Sequence, residues 1–131
     1  MKITNETLIK SVSGFNEIVK KELPYSATLK ISKNIKKIQI LLDEYKDEFK
    51  KLSEKYFEKD EEGNYITNKE GIKIKDEYIN EYIEKLKILE EFENEVELYT
   101  INSNDLKDIK ISPQTLMAIE FIIDDDEEEE K

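Results

Sequence analysis

Ile31, Ile35, Ile38, Leu42, Tyr45, Phe49, Leu52 and Tyr56 follow one another at spacings of 4-3-4-3-4-3-4. Apolar residues in that rhythm line one side of a helix. Ala27 extends the seam upstream, so the pattern predicts a helix over residues 27–58. Such a helix is about 48 Å long at 1.5 Å per residue. Its apolar side has to be covered along that length, by another part of the chain or by a second copy.

A covering segment exists within the chain. Tyr78, Ile79, Tyr82, Ile83, Leu86, Leu89, Phe92 and Val96 form a second stripe, with Asp76 placed to cap a helix over residues 77–94. The two helices are expected to pack as an antiparallel hairpin. Between them, Tyr65 and Thr67 can pair with Ile72 and Ile74 around the turn at 68–71.

Upstream, Leu8, Val12, Phe15, Val19 and Leu23 mark the inner face of a helix from about Asn5 to Glu22, ended by Pro24. Gly14 weakens it slightly. Downstream, residues 96–101 alternate and are rich in β-formers, and Ile109 and Ile111 suggest another short strand. Ser112-Pro113 opens a final apolar helix, serine capping and proline at the first helical position. The expected class is α+β and predominantly helical. It combines a long antiparallel helical hairpin, a small antiparallel β element and a short buried C-terminal helix. Residues 1–123 are read as a single domain and residues 124–131 as an acidic disordered tail.

The stretch Glu58-Lys59-Asp60-Glu61-Glu62-Gly63 suggests a calcium loop. With Gly63 at position 6, Glu58, Asp60 and Glu62 occupy positions 1, 3 and 5. Position 12 is then Lys69, a cation where the bidentate glutamate should close the site. A helix stop followed by a Gly63-Asn64 turn is the better reading.

Composition excludes much chemistry. The 131 residues contain no cysteine, histidine, tryptophan or arginine, and the three glycines are isolated. Cysteine–histidine and serine–histidine catalysis, the usual zinc sites and phosphate loops are therefore ruled out. No enzymatic activity and no cofactor is expected. No apolar run approaches the roughly 18 residues of a membrane span, and the N-terminus lacks a signal-peptide core. The expectation is a soluble, cytoplasmic protein.

Charge is the remaining signal. The net charge is −11, and DDDEEEEK at 124–131 holds seven acids against one lysine. Lys20, Lys21, Lys30, Lys33, Lys36 and Lys37 make residues 20–37 basic, with Glu22 the sole acid. Aromatic interleaving there is thin, so direct nucleic-acid binding is not expected. Residues 76–97 carry nine acids and two lysines. Glu77, Glu81, Glu84, Glu90, Glu91 and Glu93 are the candidate partner-binding residues, suited to a basic groove.

Three pieces of the chain carry a resemblance: Lys33-Asn34-Ile35-Lys36-Lys37, the turn Glu58 to Asn64, and Ser112-Pro113 with Leu116, Ala118, Ile119 and Phe121. Across residues 23–124 the chain resembles a family of short phage and prophage proteins of low-GC Gram-positive hosts. The resemblance implies a phage-encoded accessory protein in the host cytoplasm and supplies no site residues. Small acidic phage proteins of this kind are similar to inhibitors of host defence, including anti-CRISPR and anti-restriction proteins. The expected function is binding to a host protein with a basic nucleic-acid groove. The alternative is a phage structural or assembly protein that self-associates through its heptad seam into a homo-oligomer.

Overall fold

The computed structural model describes residues 1–68 and 71–124. In chain order the elements are β1 (Lys2–Thr4), α1 (Asn5–Ile18), α2 (Tyr25–Tyr56), β2 (Thr67–Asn68), β3 (Gly71–Ile72), α3 (Ile79–Glu91), β4 (Glu93–Glu95), β5 (Ile101–Asn102), α4 (Pro113–Ile119) and β6 (Ile123–Asp124). Short 3₁₀ turns occupy Asp76–Tyr78, Ser103–Leu106 and Glu120–Ile122. Helices hold more than half of the described residues, so the class is α+β with helices predominant. The acidic tail from residue 125 and the hairpin turn at Lys69–Glu70 lie outside the described residues. The described residues form two compact units, Met1–Leu42 with residues 93–124, and Asp43–Phe92.

In the first unit the seam is spent on an internal core. Ala27, Ile31, Ile38 and Leu42 pack with Ile3, Leu8, Phe15, Ile18, Ile101, Leu106, Ile119 and Ile122. β1 pairs with β4 in antiparallel register, Ile3 opposite Asn94. The buried Asn94 amide donates to the Ile3 carbonyl at 3.1 Å and to Asn5 Oδ1 at 2.8 Å. β5 and β6 add a parallel pair, Ile101 opposite Ile123.

The predicted strand at 96–101 does not form; only Ile101 enters one. A side chain takes the place of a partner strand. Asn34, fully buried on α2, donates from Nδ2 to the Tyr99 carbonyl and accepts the Tyr99 N–H at Oδ1, both at 2.8 Å. Its amide thus satisfies both backbone groups of Tyr99. Lys37 donates to the Glu97 carbonyl at 2.6 Å, and the Lys33 and Lys37 amines lie over the Tyr99 ring. Ile109 and Ile111 likewise lie outside any strand, in the turn that follows the 3₁₀ segment.

α1 starts as expected, Thr4 accepting the Thr7 N–H at 3.1 Å. Its buried face is rotated from the predicted one: Leu8, Ser11, Gly14, Phe15 and Ile18 face inward, while Val12 and Val19 are exposed. Gly14 is the cause. A Cβ there would lie 2.7 Å from Ala118 Cβ and 2.8 Å from Ile119 Cγ2, so only glycine admits α4 this closely. The helix also ends at Ile18 rather than Glu22. Pro24 stands immediately before α2, its carbonyl accepting the Thr28 N–H at 3.0 Å. Ser112 caps α4 as predicted, accepting the Thr115 N–H at 3.2 Å. α4 buries one face through Thr115 and Ile119 and exposes Leu116 and Met117.

The second unit has an aromatic core. Tyr56, Phe57 and Tyr82 are buried, with Phe49, Leu52, Tyr65, Ile74 and Leu86 packed against them. The Tyr56 ring sits 5.8 Å from Tyr78 and 5.9 Å from Tyr82, and Phe57 lies 5.2 Å from Tyr82. Tyr56 at the end of α2 meets Tyr78 and Tyr82 at the start of α3, and Tyr45 further back on α2 lies near Glu90 at the end of α3, so the two segments run antiparallel.

Thr67 faces Ile72 as expected, but Tyr65 pairs with Lys59 and Ile74 with Phe57. The segment leaving α2 intervenes through two isolated bridges. Glu58 donates its N–H to the Lys73 carbonyl, Lys73 to Ile66 and Ile66 to Glu58, a closed ring of bonds at 2.8–2.9 Å. The acidic stretch is a turn: Asp60 Oδ1 accepts the N–H groups of Glu62 and Asn64, and Gly63 has φ +85°. Asp76 does not cap α3. It opens the preceding 3₁₀ turn, and α3 has no side-chain cap.

Two outcomes follow from this packing. Gly14→Ala should destabilise the protein by about 1–3 kcal/mol through overpacking, with part of the loss recovered by Ala118→Gly. Unchanged denaturant midpoints would mean that α4 can retreat freely. Asn34→Ala removes the partner of the part-buried Tyr99 N–H and carbonyl and should cost about 1 kcal/mol. Amide exchange at Tyr99 should accelerate; an unaltered rate would show that other contacts hold the segment.

Candidate partner-binding surface

α3 presents two unlike faces. Tyr82 is buried and Leu86, Leu89 and Glu90 are half-buried, so this side meets the aromatic core. Glu81, Glu84, Ile88 and Glu91 lie at spacings of three, four and three, and all are exposed. Side chains at those spacings are neighbours on a helix, with Cβ atoms about 5–6 Å apart. Glu77 stands four residues ahead of Glu81 in the 3₁₀ turn and is also exposed.

The structure therefore brings Glu81, Glu84 and Glu91 into one stripe, with Glu77 in the 3₁₀ turn that precedes it. Two of the predicted residues are not part of that stripe. Glu90 faces inward toward Tyr45 and Tyr82. Glu93 is exposed in β4, opposite Thr4, and belongs to the other compact unit.

The stripe's carboxylates are electrostatically available. Lys85 and Lys87 stand four residues from Glu81 and three from Glu84, yet no ion pair among the described residues engages the stripe. Glu58 is used otherwise, pairing with Lys73 at 3.2 Å. That carboxylate, then Asp76, raises the Lys73 amine above its ordinary value. Glu58, Lys59, Lys75, Asp76 and Glu77 line an open depression in which both signs of charge meet. Among the described residues, no group of carboxylates is arranged to hold a metal ion.

The feature that sequence reasoning missed is Ile88. It is 59% exposed within the acidic stripe, and Ile83 and Phe92 are 55% and 58% exposed. Apolar side chains left in water beside charged ones are typical of a recognition surface. The spacing held a signal, since Ile88 falls outside the stripe of Tyr82, Leu86 and Leu89. No helix among the described residues is long and apolar enough to cross a membrane. No family model matches the chain, and neither a curated protein nor a solved structure matches it.

Tyr45 and Tyr82 are raised above their ordinary value, first by burial and then by the Glu90 charge. The folded chain thus holds these protons more tightly than the unfolded chain. The associated stability is whole below about pH 10 and is lost as pH rises through the folded-state values. Tyr45→Phe/Tyr82→Phe should flatten the fall in melting temperature in alkali. Identical slopes for the variant and the native chain would contradict this.

Proposed function

We propose that this is a non-enzymatic, phage-encoded binding protein that inhibits a host defence or nucleic-acid-processing protein in the host cytoplasm. The carboxylates of Glu77, Glu81, Glu84 and Glu91 occupy a basic groove that otherwise takes nucleic acid. Inhibition is steric and electrostatic. The observation that carries this reading is an exposed Ile88 inside a row of exposed carboxylates on one side of α3. Charges steer the encounter and the apolar side chain supplies a desolvated anchor. The alternative, assembly through the heptad seam, has less support, because Ile31, Ile38, Leu42 and Tyr56 are already buried within the chain.

Glu81→Gln/Glu84→Gln/Glu91→Gln should weaken binding to such a partner roughly tenfold, since three exposed charge contacts are worth about 0.5 kcal/mol each. Partner capture from host lysate, repeated with competing DNA, reads this out. The native chain should retain a nucleic-acid-binding protein that DNA and high salt displace. Equal retention by the triple variant, or indifference to DNA, would overturn the proposal.

A further inference from the structure

The acidic chain holds one basic feature in its first unit. Between the end of α1 and the first half of α2 lies a groove of about 260 Å³. Its apolar lining includes Val19, Leu23, Ile31 and Ile35, and Lys21 and Lys36 border it. Both lysines are exposed, and no ion pair among the described residues engages either. Val19 is 55% exposed there, although it belongs to the apolar pattern of α1. The groove thus offers an apolar floor and two unneutralised cations. Its complement is an apolar side chain flanked by carboxylates.

α3 carries that complement. Ile88 projects with Glu84 one turn before it and Glu91 one turn after it. We propose that the groove receives the α3 stripe of a second copy of this chain. Ile88 sits on the apolar floor, and Glu84 and Glu91 meet Lys21 and Lys36. The contact is heterologous, since each copy gives a groove and a stripe, so it propagates head to tail or closes into a ring. It goes beyond the function proposed above and depends only on the chemistry of the stripe. Copies joined in this way have the stripe masked, and dilution exposes it.

Each copy carries −11, so long-range repulsion opposes the contact at low ionic strength. At about 0.15 M salt the Debye length is about 8 Å, which screens that repulsion more than close pairs. Sedimentation velocity of the full chain under those conditions tests the proposal. The native chain should sediment faster as its concentration rises. Lys21→Glu/Lys36→Glu, which blocks the groove, and Ile88→Asp, which blocks the stripe, should each remain monomeric. An equimolar mixture of the two variants retains one intact interface and should give a one-to-one dimer and nothing larger. Dimer formed on mixing also shows that both variants fold. A native chain monomeric at every concentration, variants that associate like the native chain, or a mixture that stays monomeric would each overturn the proposal. These results involve no host partner, so they stand or fall apart from the inhibitor reading.

Discussion

A 32-residue helix with an unbroken apolar seam dictates most of what this chain does with its remaining residues. Water cannot solvate that seam without loss, so each stretch of it needs a cover. In the first unit the cover is α1, α4 and the irregular segment after β4, all packed around Ile31, Ile38 and Leu42. In the second it is the aromatic set around Tyr56, Phe57 and Tyr82. One polar interaction makes the first cover possible. Segment 96–100 has no strand beside it, and the Asn34 amide supplies the backbone partner that a strand would have given. The buried amide is tolerated because both ends of it are bonded.

What the sequence disclosed was periodic or local. The seam, the antiparallel return of α3, the Ser112-Pro113 start and the Gly63 turn each rest on contacts within a few residues or on a long repeat. What stayed hidden depended on distant neighbours. Residues 96–100 alternate like a strand, yet Tyr99 is held by an asparagine 65 positions earlier and the Glu97 carbonyl by Lys37. Gly14 reads as a small helix penalty until Ala118 and Ile119 are known to press against it. That close approach turns α1 so that Ser11 and Ile18 are covered and Val12 is not. Asp76 satisfies a capping pattern, but the chain enters α3 through a 3₁₀ turn instead.

The candidate surface was legible in the same uneven way. An acidic helix was visible in composition, and of the six carboxylates named from it Glu81, Glu84 and Glu91 share the exposed face of α3. Glu90 was misplaced because the apolar stripe does not reveal which charged neighbour leans over the tyrosines. Spacing sets Ile88 apart from the stripe of Tyr82, Leu86 and Leu89, but spacing alone does not assign it a role. Ile88 gains meaning from its exposure. Like charges at helical spacing oppose helix formation by a few tenths of a kcal/mol per pair. Packing of Tyr82, Leu86 and Leu89 offsets that cost, so α3 can be inwardly aromatic and outwardly acidic.

The central claim is that the seam of α2 is closed within one chain, leaving recognition to the acidic outer face of α3. Native-state amide hydrogen exchange across residues 38–56, clear of the groove at Ile31 and Ile35 and measured over a dilution series, tests it most directly. If the cover is internal, protection of these amides is high and independent of protein concentration. Protection that falls on dilution would show that a second copy covers the seam, and would return the chain to the class of self-assembling coiled coils.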